Sequence, residues 1–174
     1  AISVATKTFM YDVNATDVTS LFVYTLGLEV GGYGGNFSAV TNPEADGEFN
    51  DAVGQASPGT RVRGLIAADW TRDFFLTDIP MDTYNLERIE ISRGASPILF
   101  GLGSPAGIVN QSVIRAGLGK TATSVAASVG SYGSHRATLD HNRVLSPGKV
   151  ALRVATVHDT TKYTIAFAES RKKA

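Results

Sequence analysis

Cysteine is absent from this 174-residue chain. That excludes a disulfide framework, a cysteine-ligated zinc centre and thiol catalysis. Net charge is absent too, because sixteen Lys and Arg balance sixteen Asp and Glu. The one basic cluster, residues 171–173, stands at the end of the sequence. A chain of this kind offers no electrostatic footprint to a nucleic-acid backbone, so no nucleic-acid partner is expected. Charge of either sign is scarce, at 18%, below the typical fraction of about a quarter. No apolar run approaches the roughly eighteen residues of a membrane-spanning helix. Barrel strands escape that test, because their apolar positions alternate. The first ten residues, AISVATKTFM, lack the charged-then-apolar pattern of a secretory signal.

What is present is 43% apolar residues, enough for a core, and 18 unevenly spread glycines. Ile2-Ser3-Val4-Ala5 reads as a short strand. Val18, Leu21, Phe22 and Leu26 recur at helical spacing, which predicts a helix capped by Asn14 or Thr16 and ended by Gly27. Residues 28–30 resume extended structure. Residues 31–60 have no period and many glycines, and read as a surface loop. Strands are expected at 61–63, 73–77 and 86–93. In the last, Ile89 and Ile91 face one way while Arg88, Glu90 and Ser92 face the other. Residues 96–100 and 108–109 are further apolar runs around a glycine cluster at Gly101, Gly103 and Gly107. From residue 121 the texture changes to three strands, 121–130, 134–145 and 150–159, with short turns between them. Strands of about ten residues suit a tilted membrane barrel and a soluble sandwich alike.

Enzyme signatures are weak. Gly119-Lys120-Thr121 resembles the end of a phosphate loop, but Ile114 stands where the first glycine belongs, so a turn is the better reading. The glycines at 101, 103 and 107 are spaced wrongly for a dinucleotide loop, and Pro105 sits where a helix would start. His135, His141 and His158 follow no metal or nucleophile motif, and His135 and His141 share a strand face that Asp140 does not. The carboxylate pairs Asp46/Glu48 and Asp78/Asp82 match no calcium loop and suit turns and caps. No catalytic residue, metal site or cofactor is expected. A less ordinary feature is the pair of Arg-Gly steps, Arg63-Gly64 and Arg93-Gly94, thirty residues apart, with Glu87, Arg88 and Glu90 before the second. The spacing fits either a solvated charge ladder or two guanidinium forks offered to carboxylates on another piece of protein.

Four ordered blocks carry a more specific signal: Arg61-Val62-Arg63-Gly64; Phe75-Leu76-Thr77-Asp78-Ile79-Pro80; the run from Leu86 through Arg93-Gly94-Ala95-Ser96-Pro97 to Gly101; and the run from Gly103 to Asn110. Together they resemble the plug domain of TonB-dependent outer-membrane receptors, over residues 2–115. Residues 129–133 and 151–155 resemble the opening strands of the receptor barrel. The turn at Thr77-Asp78-Ile79-Pro80 departs from the family in lacking a glycine after the aspartate.

The resemblance implies an α+β, mostly β fold. A plug domain with a small mixed sheet and short helices, residues 1–117, precedes antiparallel strands of a transmembrane β-barrel, residues 118–174. It also implies that the chain is one piece of a longer receptor, because the family's coupling box and most of its barrel do not appear. The implied function is energy-coupled uptake of a scarce ligand, a siderophore, cobalamin or oligosaccharide, with no enzymatic step. The implied partners are the TonB energy-transducing protein on the periplasmic side, the extracellular small ligand, and outer-membrane lipid around the barrel. The implied location is the outer membrane of a Gram-negative bacterium. By the same resemblance Arg63 and Arg93 lock the plug to barrel glutamates, with Glu87 and Glu90 beside them. Asn36, Phe37, Asp69, Trp70, Arg72 and Tyr84 fall on ligand-facing apices. Two other classes compete: a soluble β-rich ligand- or carbohydrate-binding module stacking on Trp70 and Tyr84, and a small hydrolase using His141 and Asp140.

Overall fold

The computed structural model describes residues 2–30, 60–64, 68–77, 79, 81–94, 106–164 and 169–174. The stretch 31–59, expected as a surface loop and carrying Asn36 and Phe37, lies outside them, as do the apolar run at 96–100 and Gly101 and Gly103. The chain divides into two compact units, Ala1–Val113 and Ile114–Ala174.

The first unit opens with β1 (Ile2–Thr6) and α1 (Lys7–Asp12), whose cap is the Thr6 hydroxyl accepting from the Phe9 amide at 3.3 Å. Six residues, under two helical turns, are too few to leave a periodic signal, so α1 has no counterpart in the sequence reading. In α2 (Val18–Phe22) the cap is Asp17, not Asn14 or Thr16: its carboxylate accepts from Ser20 N at 2.9 Å. The helix stops at Phe22, leaving Leu26 exposed. β2 (Leu28–Val30) then pairs antiparallel with β3 (Thr60–Val62).

Four more strands complete a mixed sheet: β4 (Asp69–Arg72), β5 (Phe75–Leu76), β6 (Leu86–Arg93) and β7 (Gly107–Val113). The five-stranded order is β1-β6-β7-β4-β5, antiparallel except for β4 beside β7. Ile89 and Ile91 point into the core as their alternation predicts, and Ala5, Val109 and Trp70 share that face through the pairing register. The helices cover it with Met10, Val18, Leu21 and Phe22. This corrects the apex reading of Trp70. The indole is 5% exposed and lies 5.7 Å, ring to ring, from Phe22. Its strand is four mostly polar residues long, and only its register beside Val109 turns the ring inward.

The second unit is an antiparallel sheet of β8 (Ala122–Val129), β9 (His135–Ser146), β10 (Val150–Lys162) and β11 (Glu169–Lys173), in the order β11-β10-β9-β8. The fourth strand was not legible, because Glu-Ser-Arg-Lys-Lys carries no apolar alternation. The two faces differ in an unusual sense. Val125, Leu139, Leu152 and Val154 share the exposed face. The opposite face holds a bidentate Arg153–Asp140 pair at 2.8 and 2.9 Å and an Arg136–Asp159 pair at 2.7 Å. The Arg153 side chain is only 9% exposed. A half-buried sheet in water hides its apolar face and wets its polar one. A barrel wall in lipid does the reverse.

Candidate functional site

The two Arg-Gly steps meet at one glycine. β3 ends at Val62, and Arg63 and Gly64 both turn left-handed, at φ +54 and +70. The Arg63 amide donates to the Gly27 carbonyl at 2.9 Å. Arg93 closes β6, and its guanidinium donates to the Leu26 carbonyl and to the Ser3 hydroxyl. Gly27 itself has φ +73, and a methyl group on it would sit 3.7 Å from Arg63 Cγ and 3.8 Å from Arg93 Nη1. Two side chains thirty residues apart in sequence therefore flank one point. Neither pairs with a carboxylate among the described residues. Arg93 Nε is buried with no hydrogen-bond partner there. A guanidinium held as that of Arg93 is, with a second arginine stem beside it, is suited to receiving carboxylates from outside this unit.

Glu87 and Glu90 are not at this point. Alternation along β6 sends Glu90 to the sheet face opposite Arg93, in register with Val4 and Asn110. Glu87 stands exposed at the far end of the strand, 4.0 Å from Arg88. Glu90 belongs instead to a polar network that the sequence reading missed. Its carboxylate accepts from Arg88 Nε at 2.9 Å and from Asn110 Nδ2 at 3.1 Å. Asn110, 2% exposed, also accepts from the Thr71 hydroxyl at 3.0 Å and from the Phe74 amide at 2.8 Å. One amide thus ties β4, β6 and β7 together and holds the turn at Asp73 and Phe74, both left-handed at φ +47 and +70. The available signal was an asparagine inside an apolar run, Gly107-Ile108-Val109-Asn110.

Burial pushes the Glu90 carboxyl up, but the hydrogen bonds from Arg88 and Asn110, with the Arg88 charge, outweigh it and hold the group below the usual carboxylate range. A carboxyl depressed in the folded state contributes stability above its unfolded pKa and loses it as pH falls through the folded value. Acidification through and below the ordinary carboxylate range is therefore expected to loosen the Glu90–Asn110 tie. Hydrogen exchange across β6 and β7 in a pH series reads this. Glu90→Gln should flatten part of the acid dependence, and an identical pH profile for the variant would contradict the assignment.

The remaining apex positions are scattered. Asp69 is half-buried at the start of β4 and Arg72 exposed at its end. Tyr84 is half-buried in a 3-10 turn, Thr83–Asn85, capped by the Asp82 carboxylate accepting from the Tyr84 amide at 3.0 Å. His141 faces Thr123 Oγ at 2.8 Å, whereas Asp140 lies on the other face with Arg153. The pair needed for the hydrolase reading is not assembled.

The family model described as "TonB-dependent Receptor Plug Domain" matches residues 1–108. Among solved structures, the alcaligin outer membrane receptor FauA from Bordetella pertussis is similar with a TM-score of 0.73 at 21% identity, over 99% of this chain and 27% of that one. The ferric-catecholate import receptor Fiu from E. coli K12, in its closed form, gives 0.71 at 21% identity, over 92% of this chain and 21% of that one. The siderophore receptor PiuA from Acinetobacter baumannii gives 0.70 at 19% identity, over 93% and 21%. The chain thus spans between about a fifth and just over a quarter of these receptors. At such identities the shared property is the fold: a mixed plug sheet with short helices, followed by antiparallel strands. The chain belongs to the TonB-dependent receptor plug-domain family.

Proposed function

We propose that this chain is the plug and the first wall strands of an outer-membrane receptor that imports a scarce ligand, a siderophore in the first instance, by energy-coupled transport. The TonB protein pulls from the periplasmic side, and the ligand binds from outside. The observation that carries the proposal is the convergence of Arg63 and Arg93 on Gly27 with no carboxylate among the described residues to meet them. The partners belong on the remainder of the barrel, as glutamates. Such pairs suit a plug that must be both seated and movable. A geometrically specific ion pair costs at most about 3–5 kcal/mol to break by removing one partner, the value for a buried pair, far less than stripping an apolar seam. The inverted faces of β9 and β10 also favour a lipid-facing wall over a soluble module, which would leave Leu139, Leu152 and Val154 uncovered in water.

The test is Arg63→Ala with Arg93→Ala in the full-length receptor. Passive leakage of large antibiotics across the outer membrane should rise, while affinity for the transported chelate stays within a few-fold. Leakage equal to that of the unaltered receptor would refute the lock.

A further inference from the structure

We propose that the apolar outer face of β8–β11 ends in a site for the phosphate headgroup of an anionic lipid, built by His135, His158, Arg171 and Lys173. The inference rests on the barrel reading above. Residues directly opposite each other on paired strands share a face. Lys173 stands opposite His158, and both Arg171 and His135 stand opposite Thr160. All four side chains therefore emerge on one face, in adjacent rows. The imidazoles of His135 and His158 stack, with centroids 5.6 Å apart. His135 Nδ1 lies 3.2 Å from the Gly133 carbonyl, which fixes its ring, and Arg171 is held by Glu169 at 2.7 Å.

Charge is sorted between the two faces. Asp140 and Asp159 are on the opposite side, engaged by Arg153 and Arg136. Glu169 is the one carboxylate on the outer face among the described residues. These four side chains also have a defined height. Beyond them Tyr132, in the turn before β9, and Tyr163, just after β10, are exposed at the same end. On their other side lie Val125, Leu139, Val154 and Leu152. His135 and Arg143 are eight residues apart on this face of β9, about 26 Å of extended strand and about 20 Å along the bilayer normal at a typical tilt. That approaches the apolar band of about 25 Å on outer-membrane barrels. His141, between the two, has its Nδ1 engaged by Thr123. Arg143 is three residues short of the end of β9 and reaches the opposite interface along its stem. The order apolar, cationic, tyrosine is the order of acyl chain, headgroup phosphate and water.

The experiment uses the full-length receptor in bilayer discs that mix phosphatidylglycerol with phosphatidylcholine. Native mass spectrometry of the released protein reads the ratio of the two lipids retained. The unaltered receptor should favour phosphatidylglycerol. The variant His135→Gln, His158→Gln, Arg171→Gln, Lys173→Gln should lose that preference by about tenfold or more. The charge-keeping variant Arg171→Lys, Lys173→Arg should retain it, which controls for folding. An unchanged ratio in the neutralised variant overturns the site. So does displacement of the lipid by millimolar inorganic phosphate, which would make the ligand a free anion. A spin label on Leu139→Cys, midway between His135 and Arg143 on the outer face, separates this from the reading beneath it. If the label collides with a water-soluble nickel chelate and not with oxygen, the wall is not lipid-facing and both fail. If it collides with oxygen while the lipid ratio does not respond, the headgroup site alone fails.

Discussion

Gly107→Ala is expected to abolish the pairing of β6 with β7 and to release Arg93 from its seat. Gly107 sits at φ +126, and a Cβ there would lie 2.0 Å from the Ser92 carbonyl oxygen and 3.0 Å from Arg93 Cα. Neither neighbour is the yielding end of a side chain. The backbone of β6 must therefore move at the residue that carries the proposed lock, since Arg93 and Gly107 are register partners. The φ strain alone costs about 1–3 kcal/mol. With the clash, the total is expected above about 4 kcal/mol, which places the substitution among the exceptional ones. Hydrogen exchange on the full-length receptor checks this: amides across Leu86–Arg93 and Gly107–Val113 should lose protection, and the plug should become sensitive to added protease. The neighbouring change Gly94→Ala meets nothing within 4 Å, although its φ of +97 makes it strained too. It should do less harm. Equal protection in Gly107→Ala and the unaltered receptor would mean that β6 and β7 do not approach as described.

Asn110→Leu is expected to cost about 3 kcal/mol, because it preserves approximate volume while stranding several polar groups at once. The Phe74 amide and the Thr71 hydroxyl both lose the Asn110 carbonyl as acceptor, and the Glu90 carboxylate loses one of its two donors. Phe74 is a bulky residue at φ +70, a conformation it keeps only while its surroundings impose it. Without Asn110 the hairpin of β4 and β5 should relax, and its amides should exchange faster than those of β1 and β6. Ser112→Ala is the contrasting case. It removes only a 3.5 Å contact to the same amide and should cost under about 1 kcal/mol. A smaller effect for Asn110→Leu than for Ser112→Ala would show that the network carries no weight. Glu90 links this prediction to the pH series, since loss of the Asn110 donor removes one of the two hydrogen bonds that hold the carboxyl down.

Several local features were legible because their causes are local. The alternation of Ile89 and Ile91 against Arg88 and Glu90 follows from the pleat and appears in β6 as predicted. The short turns between the C-terminal strands were marked by Ser131-Tyr132-Gly133 and by Ser146-Pro147-Gly148-Lys149. The helical spacing of Val18, Leu21 and Phe22 located α2, although the cap was misplaced by a residue or more, because Asn14, Thr16 and Asp17 are all competent caps. Trp70 shows the opposite case. An indole in a short polar stretch reads as a surface platform, and only the parallel register with Val109 places it against Phe22. Glu90 and Arg93 look like neighbours on the chain, yet an odd separation along a strand puts them on opposite faces.

By itself the sequence determined the secondary-structure periods, the four-block order of the plug, and the left-handed turns that Gly64 and Gly94 permit. Tertiary structure alone decided that Arg63 and Arg93 converge on Gly27, that Asn110 answers Thr71, Phe74 and Glu90 together, and that the charged face of β9 and β10 is the one withdrawn from solvent. The reason is physical. Backbone periodicity is set by residues a few positions apart. The partner of a guanidinium or a buried amide is set by strand register, which joins segments tens of residues apart and leaves no local trace.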